Sequence, residues 1–250
     1  EEEKKKGLTT HSSGNHAQAV ALSAKILGVP AFIVMPENAP AIKKAGVRSY
    51  GGNIITCEST IEARESTLER VRQETGATFI HPYDDYNVIA GQATAVKELI
   101  EDAPKLDIVL SPIGGGGLMS GTALYSKYLN LGIKVMGAEP ELVNDAYRSF
   151  KSGEMQYNTR IDTIADGLRT NLGDKTFPII QSYVDDVVTA SEEGIIDAMR
   201  LIWERMKIIV EASCSVPLAA MLENPEPFVG KSVGIILTGG NVDLGALPFR

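Results

Sequence analysis

Short β-rich runs alternate along this chain with longer stretches in which apolar positions recur every three or four residues. The runs fall at 31–34, 54–56, 107–110, 135–138, 184–189 and 233–237, with a shorter one at Leu8. The periodic stretches cover 15–27, 61–75, 88–100, 118–129 and 192–206. A strand inside a parallel sheet is buried on both faces and reads as a continuous apolar run, whereas a helix laid on that sheet buries one stripe. The alternation therefore predicts βαβ units, mainly parallel sheets and right-handed crossovers that put helices on both faces. Ligands of such sheets gather beyond the carboxyl ends of the strands, so the turns after strands are where chemistry is expected.

The pattern breaks at 81–86, HPYDDY, where a proline and two acids interrupt the periodicity. This divides the chain into a small α/β domain, 7–84, and a larger one, 85–250. Neither carries an internal repeat or a low-complexity tract. With 250 residues, 44% of them hydrophobic and 22% charged, the chain is long enough for one or two sizeable cores. The net charge of -8, with no basic stripe, excludes nucleic acid as the expected partner. No run of about 18 apolar residues is present, so no membrane partner is expected. Cys57 and Cys214 lack CxxC spacing, which argues against a zinc site or disulfide framework and suits a cytoplasmic protein. The charge run 1–6, EEEKKK, reads as a solvated helix face, more like the end of a helix than the start of a protein.

Four turns carry candidate chemistry. In 11–16, HSSGNH, polar residues precede a helix; Ser, Gly and Asn suit its cap, and the first-turn N–H groups suit an anion such as a carboxylate. In 111–118, SPIGGGGL, four glycines between a strand and a helix let the backbone wrap a ligand and form a nest for phosphate. No lysine follows as in an ATP-type P-loop. A dinucleotide site remains an alternative, because Glu139 lies roughly 20 residues past the loop; against it, Met119 and Ser120 stand where a third glycine belongs. In 237–241, LTGGN, a hydroxyl meets two glycines at a strand end. In 139–145, EPELVND, carboxylates and a carbonyl could bind a hard divalent cation, or could be the acidic start of a helix.

Taken together and in this order, SSGNH, GGGGL and TGGN resemble the fold-type-II pyridoxal-phosphate (PLP) enzymes, nearest their serine racemase and serine/threonine dehydratase branch. The stretches PAFIVMPENAP, HPYDDYNVIAGQ, TIADGLR, WERMKIIVE and TGGNVDLG extend the resemblance over 7–247. It implies a tryptophan-synthase-β-like two-domain α/β fold with mainly parallel sheets. It also implies a PLP-dependent ammonia-lyase or racemase acting at the α-carbon of serine, threonine or 3-hydroxyaspartate, assembled as a homodimer or tetramer. By the same resemblance Asn15 meets the ring hydroxyl of PLP, Gly114, Gly115, Gly116, Gly117 and Leu118 cradle its phosphate, and Thr238 meets its pyridine nitrogen. Ser12, Ser13 and His16 contact the substrate carboxylate, and Ser13 is the proton-exchanging serine of the racemase branch. Glu139, the carbonyl of Val143, and Asp145 match the site for Mg²⁺, or Ca²⁺ or Mn²⁺.

Two departures stand out. The family's Schiff-base lysine lies in an S-x-K-x-R-G-A motif before SSGNH, and no lysine of this chain has that context. The expectation is a truncated form, lacking the N-terminal part of the large domain, with impaired activity or with a purely binding role. Where the family has E-P-[ST], this chain has Glu211-Ala212-Ser213-Cys214.

Overall fold

A computed structural model describes residues 2–249, apart from the side chains of Glu3 and Ile61. Glu1 of the EEEKKK run lies outside the described residues; the rest of the run forms α1 (Glu2–Lys6), and Lys4, Lys5 and Lys6 are exposed. The chain divides into two compact units, one reaching as far as Pro82 together with Asp243–Ala246, the other running from Tyr83 to Val242 and resuming at Leu247.

In the first unit β1 (Leu8–His11), α2 (Asn15–Leu27), β2 (Ala31–Pro36), α3 (Ala41–Ser49), β3 (Asn53–Cys57), α4 (Ile61–Thr75) and β4 (Thr78–Phe79) follow in turn. The sheet has the order β3-β2-β1-β4 and every pair is parallel. Successive residues of β2 serve opposite faces: Ala31, Ile33 and Met35 pack with Val20, Ala24 and Val47 of α2 and α3, while Val34 packs with Leu68 and Val71 of α4. This two-sided burial is why β2 reads as AFIVM without a polar break.

The second unit contains α5 (Tyr86–Asp102), β5 (Ile108–Pro112), α6 (Gly117–Tyr128), β6 (Lys134–Pro140), α7 (Asp145–Ser152), α8 (Thr176–Tyr183), β7 (Asp186–Ala190), α9 (Glu192–Met206), α10 (Ala212–Glu223) and β8 (Val233–Ile235). Its sheet is again parallel, in the order β7-β6-β5-β8. Ile108 and Leu110 of β5 join Ile195, Met199 and Val216 of α9 and α10 on one face, and Val109 joins Val96 and Ile100 of α5 on the other.

The strand expected at 184–189 begins later, at Asp186. Val184 instead closes α8, its amide donating to the Ile180 carbonyl at 3.1 Å. Among the described residues no helix is long and apolar enough to cross a membrane. Cys57 and Cys214 are both buried free thiols.

Candidate functional site: a glycine loop and its surroundings

After β5 the amide of Ile113 still pairs with the Ala138 carbonyl at 2.9 Å, and then the chain leaves the sheet. Gly116 adopts a left-handed φ of 87° and caps α6. A Cβ at position 115 would lie 2.2 Å from the Tyr83 ring, at 116 2.8 Å from Leu172, and at 117 2.9 Å from the Tyr83 backbone. Packing alone therefore demands three of the four glycines, so their number is not in itself the mark of a ligand. The mark lies in the amides. Gly115, Gly116 and Gly117 are buried, yet among the described residues no protein acceptor takes the amides of Gly115, Gly116, Gly117 or Leu118. Local pairing resumes only with Ser120 N to the Gly116 carbonyl at 2.8 Å. A buried donor left unmade costs about 1–3 kcal/mol, and the amides of three buried glycines, with that of half-buried Leu118 beside them at the positive end of a helix, call for an anion with several acceptor oxygens.

The turn after β8 is tied to the start of α10. Glu211 N donates to the Gly239 carbonyl at 3.0 Å, and Thr238 N donates to Cys214 Sγ at 3.1 Å. Gly240 lies against the Ile209 carbonyl, which a Cβ would approach to 2.4 Å. Burial pushes the Cys214 thiol up, so it accepts as a neutral group. The EASC departure thus keeps a defined contact with Thr238.

At the start of α2 the cap is the glycine of the expected Ser, Gly and Asn set. Gly14 is the N-cap and has no side chain to accept from the first turn; Ser12 Oγ accepts from Gly14 N at 3.3 Å. Ser12, Ser13 and Asn15 are half-buried beside it. His16 Nε2 lies 3.1 Å from the Ile80 carbonyl. Burial lowers the His16 pKa, the Ile80 carbonyl partly opposes this, and His81 lowers it further. A neutral ring donating from Nε2 leaves Nδ1 as an acceptor. All three histidines of the chain gather in this unit. His11 stacks on Phe79 with centroids 5.7 Å apart, and His81 stands edge-on to Phe79 at 5.6 Å.

Glu139, at the end of β6, is fully buried; its Oε2 accepts from Tyr147 N at 2.7 Å and its Oε1 from Ala146 N at 3.2 Å. Asp145, also fully buried, accepts from Leu172 N at 2.9 Å and from Asn158 Nδ2 at 2.6 Å. Burial first, and then the Asp145 charge, raise the Glu139 pKa well above the usual range; burial raises that of Asp145 to about 6. Val143, likewise buried, ends the single 3₁₀ turn between them. Two buried carboxylates that resist ionising together suit a hard cation with a carbonyl as third oxygen ligand. Among the described residues no cluster of three or more His, Cys, Asp or Glu side chains has a metal-binding arrangement. The dinucleotide alternative meets a physical obstacle here, because a fully buried Glu139 bonded to the start of α7 cannot reach a ribose.

Sequence reasoning passed over Tyr83, Asp84 and Thr176, which hold the glycine loop. Tyr83 and Asp84 lie within HPYDDY, which reads as a boundary and as part of the family resemblance but gives neither residue a role.

The glycine loop between a parallel strand and a helix, on this two-unit fold, places the chain in a family. It belongs to the family described as "Pyridoxal-phosphate dependent enzyme", which matches residues 1–239. It is 50% identical over 245 residues to the beta-hydroxyaspartate dehydratase of Paracoccus denitrificans, covering 98% of this chain and 78% of that protein. The structure of maize serine racemase superposes with a TM-score of 0.94 at 46% identity, covering 98% of this chain and 76% of the other. The serine racemase of Dictyostelium discoideum superposes at 0.91 with 48% identity, covering 98% and 79%, and a threonine deaminase structure does so at 0.91 with 43% identity, covering 96% and 79%. The fold is the tryptophan-synthase-β-like α/β fold.

Proposed function

We propose that this chain carries the cofactor-binding body of a PLP-dependent ammonia-lyase or racemase acting at the α-carbon of small hydroxy amino acids. The observation that carries the reading is the set of amides at Gly115–Leu118, three of them on buried glycines, that have no protein acceptor among the described residues and are the donors a phosphate ester needs. Gly114 lies in the same turn. Support for serine, threonine or 3-hydroxyaspartate as substrate comes from the relatives.

Bound PLP supplies an electron sink for the α-carbon. The protein binds and orients. The α6 amides fix the phosphate. Thr238, a neutral hydroxyl on a backbone tied to Cys214, would meet the pyridine nitrogen without protonating it. Asn15 addresses the ring hydroxyl, an assignment resting on the family resemblance. The start of α2, with Ser12, Ser13 and His16, would receive the substrate carboxylate, and Ser13 Oγ would deliver a proton where racemisation occurs. Glu139, Val143 and Asp145 hold Mg²⁺, or Ca²⁺ or Mn²⁺, as a structural cation. A cytoplasmic dimer or tetramer fits the reading. The α-proton is taken in this family by the lysine of S-x-K-x-R-G-A; none of the lysines here has that setting, so that step is assigned to no residue of the chain.

The test is PLP titration followed by borohydride reduction and peptide mapping. Saturable PLP binding with no lysine-linked pyridoxyl peptide is expected. Joined to a segment bearing the lysine motif, the chain should release keto acid and ammonia from one of the three substrates. Absence of saturable PLP binding, or tight nicotinamide binding in its place, would overturn the reading.

A further inference from the structure

The glycine loop binds an anion only if its peptide planes face the right way, and one buried side chain sets a plane. Thr176, the first residue of α8, has no exposed surface. Its hydroxyl donates to the Gly115 carbonyl at 2.7 Å and accepts from Gly173 N at 2.8 Å. In a trans peptide the C=O and the following N–H point in opposite directions. Pinning the Gly115 carbonyl toward Thr176 therefore turns the Gly116 N–H away from the Thr176 hydroxyl. That N–H is one of the donors without a protein acceptor among the described residues.

Thr176 is itself anchored. Asp84 Oδ1 accepts from Lys175 N at 2.9 Å and from Thr176 N at 3.2 Å. Gly173 leaves room for that carboxylate, since a Cβ there would lie 2.2 Å from Asp84 Cγ. On the other side Ser120 Oγ reaches the Thr176 carbonyl at 3.5 Å, and the Thr176 Cβ faces Gly116, where a side chain would meet it at 2.9 Å. The residue is locked before it meets the loop.

We infer that Thr176 is a positioning residue for phosphate: it presets the Gly115–Gly116 peptide so that the Gly116 amide is presented to the cofactor before the cofactor arrives. This rests on the proposed phosphate role of the loop. A glycine at φ 87° has a wide choice of conformations, so without the hydroxyl the peptide is free to rotate and the cost of ordering it falls on binding.

The experiment compares the dissociation constant of PLP, and the ³¹P shift of its bound phosphate, in the unaltered chain, Thr176→Val and Thr176→Ser. Thr176→Val keeps the shape and removes the hydroxyl; it should weaken PLP about 10-fold to 100-fold and move the ³¹P signal toward that of free PLP. Thr176→Ser restores the donor and should bind within about threefold of the unaltered chain. Should Thr176→Val fail to fold, Thr176→Cys, of similar size with a weaker donor, takes its place with the same expectation. Equal binding by the valine variant, or a serine variant as weak as valine, overturns the positioning role and leaves the phosphate site standing. Failure of the unaltered chain to bind PLP overturns the phosphate site itself, and this inference with it.

Discussion

Glu139 Oε2 accepts the amide of Tyr147 at 2.7 Å, so a fully buried carboxylate at a strand end holds the start of α7 from inside the protein. Asp145 opens that same helix and is buried as well. Two acids enclosed together are stable only with their hydrogen bonds complete and their charge balanced.

A divalent cation there should raise thermal stability. Mg²⁺ is expected to increase the melting temperature of the unaltered chain and EDTA to reverse the gain. Glu139→Ala should lower stability by about 1–3 kcal/mol for each helix amide it leaves unpaired. It should also abolish the Mg²⁺-dependent rise; an undiminished rise places the cation elsewhere.

The glycine loop should be intolerant for reasons of packing as well as binding. Gly116→Ala combines a left-handed φ with a Cβ 2.8 Å from Leu172, whereas Gly132→Ala carries a similar φ of 72° in open space. Urea denaturation without cofactor should show about 1 kcal/mol lost at Gly132 and about 1–3 kcal/mol more at Gly116. Equal losses would show that the loop gives way more easily than its contacts imply.

The helix ends that were legible in the sequence have local causes. Thr60 accepts from Ala63 N at 3.1 Å and Ser191 from Gly194 N at 3.0 Å, while Gly28 and Gly76 close α2 and α4 in the left-handed region. α5 begins two residues before the expected Val88 because Asp85 caps it, inside a stretch read as a boundary. α10 gave no signal: Ala212, Ser213, Cys214, Ser215, Val216 and Pro217 are all buried, so no polar stripe marks a period, and Pro217 reads as a breaker. At the site, the glycines and Thr238 were visible as turns after strands. Thr176 was not, because its bond to Gly115 spans 61 residues and exists only once α8 has packed on α6.

Acid should loosen the first unit before any carboxylate is considered. Burial, then His81, Arg64 and His16, lower the His11 pKa from 6.5 to about 4. Between those values the unfolded chain holds the proton and the folded chain does not, so this contribution is complete above about pH 6.5 and is lost as pH falls toward 4. Urea midpoints across that interval should fall in the unaltered chain and fall less steeply in His11→Gln, with His16 supplying part of the remaining slope. Parallel slopes would remove His11 from the account.

The central claim is that the amides of the glycine loop hold the phosphate of PLP. Hydrogen–deuterium exchange on peptides spanning 113–119, with and without PLP, tests it most directly. The account predicts marked slowing at Gly115–Leu118 with PLP and none with pyridoxal, which lacks the phosphate. Exchange at these amides unaltered by saturating PLP would contradict it.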